Sequence, residues 1–132
     1  MATLYVGSDQ NYTTIQSAIN AANPGDRIVI SAGDYSSEGG IKIDKALTVQ
    51  AADGAEVIVD HVELGLSSND AAVEYMTVQG LTIKPQTYNG GDWHISGVWQ
   101  NSRAIGAVTV KDCIFDFSTT VHKLQIVNHN KV

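Results

Sequence analysis

The strongest structural signal in this chain lies between Tyr12 and Ala51, in the sequence YTTIQSAINAANPGDRIVISAGDYSSEGGIKIDKALTVQA. Its first part has apolar residues at the i, i+3, i+4 and i+7 positions of a helix: Ile15, Ala18, Ile19 and Ala22. This spacing predicts one amphipathic helix over residues 13–22. Since a helix of about ten residues is marginal alone in water, we expect it to bury this apolar stripe over the open end of a stack of strands.

Local signals mark the two ends of the predicted helix. Thr13 and Gln16 have the Thr-x-x-Gln spacing of a capping box, in which each side chain satisfies a free backbone N–H of the other residue. The segment Asn23-Pro24-Gly25-Asp26 ends the helix, because proline cannot continue it. An ordinary surface helix on an α/β domain is the alternative interpretation.

Short strand patterns follow the helix, with no helical pattern of useful length between them. Residues 27–30 are rich in β-branched side chains, 41–43 and 47–49 alternate apolar with polar residues, and 57–59 follow a turn at Asp53-Gly54. Parallel strands joined by βαβ units need a long crossover, which this spacing does not provide. The pattern therefore favours a mainly β fold, a short solenoid in the form of a right-handed parallel β-helix with an N-terminal capping α-helix.

The later chain repeats its own strand pattern, as a solenoid requires. Met76–Ile83 aligns with Val108–Phe115, and Leu47–Ala51 matches the first half of the same pattern. In this register two sets of residues are predicted to point inward: Met76, Val78, Leu81 and Ile83, and then Val108, Val110, Cys113 and Phe115. Leu124–Asn130 is predicted to start another unit of this kind.

Four motifs in the first third of the chain carry a family resemblance. Thr-Ile-Gln-x-Ala-Ile-x-Ala-Ala spans Thr14–Ala22, Pro-Gly-Asp-x-Ile-x-Ile spans Pro24–Ile30, Gly-x-Tyr spans Gly33–Tyr35, and Ile-x-Ile-x-Lys-x-Leu-Thr-Val spans Ile41–Val49. This order resembles the N-terminal region of the pectin-lyase-like right-handed parallel β-helix superfamily, in which pectinesterases and bacterial surface β-helix proteins begin similarly. The resemblance implies the fold and favours an extracellular, cell-surface or virion-surface location. It implies no particular activity, because very different proteins share this opening.

We expect one domain over residues 1–132, with coils over 27–132 and a loop insertion at about 85–103. Repeat folds need a polar cap at each end, and the sequence has no pattern for a C-terminal cap. Three explanations stay open. The chain is truncated from a longer protein, the uncapped C-terminal coil self-associates into an oligomer, or the last residues fold back as a cap.

Composition and charge exclude several classes of partner. The net charge of −6 and the scattered Lys and Arg residues argue against nucleic acid. No apolar run approaches the length of a membrane-spanning helix, so no membrane insertion is expected. The single cysteine, Cys113, is interpreted as a core residue rather than a nucleophile, because its predicted position is inward.

The sequence predicts no catalytic constellation, no metal and no cofactor. The four histidines are far apart, without the His-x-His or His-x-x-x-His spacing of a metal site, and each is expected on the surface: His61, His94, His122 and His129. Polysaccharide lyases and pectinesterase-like enzymes need grouped basic or carboxylate residues. None of those groupings is recognisable in this sequence.

The best candidate for function is the segment 85–103, PQTYNGGDWHISGVWQNSR. It concentrates four residues that are the predicted ligand-binding set: Tyr88, Trp93, His94 and Trp99. Aromatic faces beside Asn, Asp, Gln and His side chains suit a glycan, because the rings stack on sugar C–H groups and the polar groups bond the hydroxyls. The alternative is structural: one tryptophan packs over a coil and the other fills a corner.

Three functions are therefore weighed. The chain is a non-catalytic β-helix module of a surface, phage or secreted protein that serves display, or glycan or partner contact. It is the N-terminal piece of a carbohydrate-active enzyme without its catalytic coils. Or it is a small standalone β-helix protein that self-associates through its uncapped C-terminal coil.

Overall fold

The computed structural model describes residues 1–64, 73–84 and 106–116 in full, together with the backbone of 98–100 and 126–127. These parts of the chain contain one α-helix, α1 (Ile15–Ala21), one 3-10 turn (Ser36–Glu38) and thirteen short strands. The strands form three sheets, and every pairing between them is parallel. The described chain is therefore mainly β, as predicted.

Each sheet collects strands that are far apart in sequence. The first sheet contains, in spatial order, β1 (Thr3–Val6), β2 (Arg27–Ile30), β5 (Thr48–Ala51), β8 (Met76–Gln79) and β11 (Val108–Lys111). The second sheet contains β3 (Gly33–Asp34), β6 (Val57–Val59), β9 (Thr82–Ile83) and β12 (Ile114–Phe115). The third sheet contains β4 (Gly40–Ile43), β7 (His61–Leu64), β10 (Val98–Gln100) and β13 (Ile126–Val127).

After β1 the strands visit the three sheets in a fixed order. We call each set of three consecutive strands a triplet: β2–β3–β4, β5–β6–β7, β8–β9–β10 and β11–β12–β13. Each strand pairs with the strand that holds the same place in the next triplet. This arrangement needs no crossover helix, which is why short strand patterns can follow one another directly along the sequence.

The register predicted from self-similarity is confirmed. Met76 pairs with Val108 and Ile83 pairs with Phe115, while Thr48 pairs with Thr77, as the aligned patterns require. Because side chains alternate between the two faces of a strand, this register keeps the apolar residues of successive triplets on the same side.

The prediction for 124–130 is wrong in one respect. Ile126–Val127 form β13, which pairs with β10 in the third sheet. It is therefore the last strand of the fourth triplet and not the start of a new unit. The sequence pattern identified a strand correctly but could not tell which sheet it joins, because all three sheets use similar apolar dipeptides.

The core lies between the sheets and α1. Its fully buried side chains come from the helix and from the inward positions of every sheet, and the largest of them are Ile15, Ile19, Ile28, Ile30, Ile41, Ile43, Leu47, Leu64, Met76, Leu81 and Ile83. The four residues of Met76–Ile83 that were predicted to point inward are all buried: Met76, Val78, Leu81 and Ile83. The helical stripe of Ile15, Ala18, Ile19 and Ala22 is buried as predicted.

The fourth triplet is less covered than the third. Val110, Cys113 and Phe115 pack against the core but are only half-buried, whereas Val108 is 36% exposed. Ile114, which alternates with them, is 62% exposed. Burial raises the pKa of the Cys113 thiol, which supports its interpretation as a packing residue.

The capping helix begins later than predicted, and the predicted capping box is wrong. Thr14, not Thr13, is the N-cap: its hydroxyl oxygen accepts a hydrogen bond from the backbone N–H of Ser17 (3.2 Å). Gln16 does not reach back to the cap. Its amide instead pairs with the backbone of Lys42 in β4, accepting from the Lys42 N–H (2.9 Å) and donating to the Lys42 carbonyl (3.0 Å). Gln16 thereby covers the outer edge of the third sheet in the way that a neighbouring strand would.

Two charged side chains from the first triplet and the turn after it hold the ends of α1. The Glu38 carboxylate accepts from the backbone N–H groups of Ile15 (2.9 Å) and Gln16 (3.2 Å) at the helix N-terminus. The Lys45 ammonium donates to the carbonyl oxygens of Ile19 (2.8 Å), Asn20 (3.1 Å) and Ala22 (2.7 Å) at the other end. Both charges have the sign that the helix dipole favours. Both side chains also bond backbone N–H or carbonyl groups at the helix ends that have no partner within the helix.

In the part of the chain that the structure describes, no helix is long and apolar enough to cross a membrane.

Candidate functional site at the corner between the second and third sheets

In the first three triplets, the segments that lead from the second sheet to the third have very different lengths. In the first triplet this corner is 35–39, and in the second it is the single residue Asp60 between β6 and β7. In the third triplet it is 84–97, which contains most of the aromatic segment. The link at Asp60 is therefore the shortest of the three, and the equivalent link of the next triplet is the longest.

Asp60 and His61 form a hydrogen-bonded pair at this corner. The Asp60 carboxyl is 1% exposed, and its Oδ2 lies 2.7 Å from Nδ1 of His61. A carboxylate can only accept, so the imidazole Nδ1–H donates to it and the ring orientation is set by this bond. The Nε2 atom is left for another partner. It lies 3.9 Å from Oε2 of Glu63, which is too long for a hydrogen bond but close enough for attraction when the ring is protonated.

Gly40 provides the space for the imidazole. Gly40 is the strand neighbour of His61 in the third sheet, and a Cβ at position 40 would overlap Nε2 of the ring and lie 2.7 Å from its Cε1. The ring thus lies across the backbone of β4. Any larger residue at position 40 would push it off the corner.

Glu63 and Lys42 continue this surface along the sheet. They are direct neighbours in the β4–β7 register, and both alternate with buried residues, so they lie on the outer face. The Glu63 side chain is only 14% exposed although it points away from the core, whereas Lys42 is exposed. The outer face at this point therefore combines an imidazole, a largely covered carboxylate and a nearby cation.

The described backbone anchors the residues on both sides of 85–97, the first part of the aromatic segment, at the same corner. Before the segment, the Lys84 N–H donates to the Val59 carbonyl oxygen (2.8 Å). After it, Val98 pairs with Val62. Val59 and Val62 lie on the two sides of Asp60–His61, so the described residues before and after 85–97 are both held beside this pair.

The four predicted ligand-binding residues have different outcomes. Tyr88, Trp93 and His94 lie outside the described residues. Trp99 lies in β10, where its backbone is the strand neighbour of Glu63 on one side and of Val127 on the other. Val98–Gln100, which fall within the loop expected over 85–103, instead form a strand that pairs with β7 in parallel register.

The sequence prediction missed the Asp60–His61 pair. His61 was expected on the surface, yet its side chain is only 19% exposed. A weak signal was present, since Asp60-His61-Val62-Glu63 places polar residues at the end of one strand pattern and at alternate positions of the next. The sequence could not show that the imidazole lies on a glycine or that its carboxylate partner is buried. Both features depend on β4 and β7 being neighbours.

Chemically, the corner is a hydrogen-bonding surface. The imidazole Nε2 and the Glu63 carboxylate can bond hydroxyl or amide groups of a ligand, and the Asp60 contact keeps the ring in place without cost at the moment of binding. Among the residues that the structure describes, no three His, Cys, Asp or Glu side chains are close enough to hold a metal ion.

Comparisons with known proteins identify no family for this chain. No protein-family model matches it, and neither a curated protein nor a solved structure is significantly similar to it. The pectin-lyase-like resemblance of the first third therefore stays a prediction, and function is inferred from the geometry of the corner.

Proposed function

We propose that this chain is a non-catalytic module with a right-handed parallel β-helix fold, and that it contacts a glycan at the corner formed by Asp60, His61, Glu63 and the aromatic segment 85–103. Three features support the fold: the fixed order in which the strands visit the three sheets, the parallel pairing of equivalent strands in successive triplets, and the motif resemblance at the N-terminus. In this fold each triplet is one coil, and α1 covers the first coil.

One observation carries the proposed binding role: the residues on both sides of 85–97, Lys84 and Val98, are held by Val59 and Val62, which flank the Asp60–His61 pair. The link that contains Trp93 is thereby attached beside an oriented imidazole and a carboxylate, and Trp99 follows it in β10 as the strand neighbour of Glu63. Stacking surfaces beside hydrogen-bond acceptors suit neutral sugar rings, because the sugar hydroxyl groups donate to those acceptors. A rigid scaffold that presents a loop of this composition is a common arrangement for binding.

Intrinsic fluorescence provides a selective test, because the only two tryptophans, Trp93 and Trp99, both lie in this segment. Titration with a panel of neutral and uronate oligosaccharides should change the tryptophan emission for at least one of them. Isothermal titration calorimetry of Trp93→Ala, Trp99→Ala and His61→Ala should then show weaker binding of that sugar. Ile114→Ala is the control, since this exposed side chain lies on a different sheet.

Circular dichroism and urea unfolding must first show that each variant is folded. If all three variants bind as the unchanged protein does, the corner is not the binding surface. If no sugar in the panel changes the emission or releases heat, the proposal of a glycan ligand at this corner is wrong.

A second candidate function, self-association, is favoured by the exposed apolar residues of the fourth triplet. Val108 and Ile114 lie on β11 and β12, which are the last strands of the first two sheets in the described chain. A strand at the end of a sheet has free backbone groups, and apolar residues beside them suit a second copy of the chain. Light scattering over a concentration series should show a dimer or larger assembly that Ile114→Lys dissociates. A monomer at all concentrations would exclude it.

A further inference from the structure

A cleft of about 290 Å³ lies at the N-terminal end of the first sheet, away from the corner between the second and third sheets. One wall is Thr3–Tyr5 of β1, and the other is the segment Asp9–Tyr12 that leads into α1. β1 is the outermost strand of the first sheet, with β2 on its other side. The cleft thus lies where a further strand would otherwise be.

Backbone contacts hold the two walls in place. The Gly7 N–H donates to the Tyr12 carbonyl oxygen (2.9 Å), and the Gln10 N–H donates to the Gly7 carbonyl oxygen (3.2 Å). Val6 also forms a single parallel bridge to Tyr12. The turn packs closely on Ser31, since a Cβ at Gly7 would lie 3.0 Å from the Ser31 hydroxyl oxygen. The cleft is therefore built by the folded turn and does not depend on a ligand to form.

The side chains at the cleft combine an aromatic surface with uncharged polar groups. Tyr5 is 52% exposed, and it is one of the few large hydrophobic side chains with such exposure among the described residues. Gln10 and Asn11 are exposed and provide amides that can both donate and accept, and Thr3 adds a hydroxyl. An exposed ring beside amide and hydroxyl groups fits the alternating C–H and O–H surface of a sugar.

Charge and size restrict the class of sugar. Asp9 also lines the cleft, and the chain has a net charge of −6, so an anionic uronate would be repelled. Drug-sized ligands occupy pockets of roughly 300–1,000 Å³, which places this cleft at the lower limit. We propose that this cleft is a binding subsite for a neutral mono- or disaccharide unit, independent of the aromatic segment.

The test measures binding of glucose, galactose, mannose, N-acetylglucosamine and their disaccharides by saturation-transfer-difference NMR, with galacturonic acid as the anionic comparison. For the sugar that binds, Tyr5→Ala and Asn11→Ala should each raise the Kd by about tenfold or more, because a stacking surface or a bidentate amide is lost. Tyr5→Phe keeps the ring and should stay within about threefold. Asn20→Ala is a control of the same residue type, since Asn20 is an exposed residue of α1 outside the cleft.

This experiment separates the cleft from the proposed corner site. Binding at the cleft should persist in the Trp93→Ala and Trp99→Ala variants. In the unchanged protein it should not alter the tryptophan fluorescence. If Tyr5→Ala and Asn11→Ala leave sugar binding intact, or if only the tryptophan variants abolish it, the proposal of a cleft subsite is overturned. Loss of binding in the tryptophan variants would instead support the corner site. Preferential binding of galacturonic acid, or of an extended peptide along the edge of β1 in place of any sugar, would also overturn it.

Discussion

Replacing Gly40 by alanine tests the geometry of the Asp60–His61 pair directly. The added Cβ would overlap the His61 imidazole, so the ring must leave its position and its 2.7 Å hydrogen bond to the Asp60 carboxylate must break. A hydrogen bond to a charged group contributes about 1.5–3 kcal/mol to stability. Against this, alanine restricts the unfolded chain and stabilises the fold by about 0.4–1 kcal/mol where the backbone conformation is compatible. Gly40→Ala should therefore lower the free energy of unfolding by about 0.5–2.6 kcal/mol.

The same substitution should behave in the opposite way when His61 is already alanine. With no ring over the strand, the Cβ at position 40 meets no imidazole, and only the effect on the unfolded chain remains. Gly40→Ala should then be neutral or should stabilise the His61→Ala protein by about 0.4–1 kcal/mol. The coupling between the two positions is thus expected to be about 1.5–3 kcal/mol.

Urea denaturation of the four proteins in this double-mutant cycle, followed by circular dichroism, measures the coupling. Gly39→Ala is the matched control: it lies beside Gly40, has a φ of 77° and no neighbouring atom near a Cβ. Its cost is backbone strain, which should be the same with and without His61. A coupling below about 0.5 kcal/mol between positions 40 and 61 would refute the reasoning, because the ring would then not be what excludes a side chain there.

Three further outcomes are expected. Val78→Ala, at a fully buried position between Val49 and Val110, should lower the free energy of unfolding in urea by about 1–3 kcal/mol. Val110→Ala, at a half-buried position, should lower it clearly less. Equal losses would contradict the described packing. Lys45→Met removes three hydrogen bonds to the end of α1 and should lower the free energy of unfolding in urea by about 1–2 kcal/mol. Lys42→Met should leave it nearly unchanged. A larger loss for Lys42→Met than for Lys45→Met would be inconsistent with the helix contacts. The pKa of Asp26 is lowered, chiefly because the backbone N–H groups of Ala2 and Asn23 donate to its carboxylate. Its stabilisation is therefore complete above pH about 4 and is lost as the pH falls through the lowered pKa of the folded state. Asp26→Asn should reduce the slope of unfolding free energy against pH in that acidic range, and an unchanged slope would show that the carboxylate is not protected.

The repeated strand patterns could be read from the sequence because they are local. Alternation of apolar and polar residues has a period of two, so Met76–Ile83 and Val108–Phe115 predicted the register that the structure has, although Val108, predicted to point inward, is 36% exposed. The helical stripe was equally clear. Boundaries were less accurate: the N-cap is Thr14, because Gln16, which the capping-box spacing assigned to the cap, bonds β4 instead.

The candidate site could be predicted only in part. The aromatic composition of 85–103 indicated a binding segment, but its relation to Asp60 and His61 depends on which strands are neighbours. The link from β9 to β10 spans 84–97, whereas the link from β6 to β7 is one residue. No local spacing rule shows that the ends of the first link lie over the second, because that follows from parallel pairing between triplets.

By itself the sequence determined what each short segment is: one amphipathic helix, then strands whose apolar residues face one side. Those properties depend on periods of 3.6 and 2 along the backbone and on residues that are close in the chain. The tertiary structure alone decided the long-range contacts, such as Glu38 and Lys45 at the two ends of α1 and the His61 ring over Gly40. These contacts join residues more than twenty positions apart, so they exist only after strand pairing has brought the corners of successive triplets together.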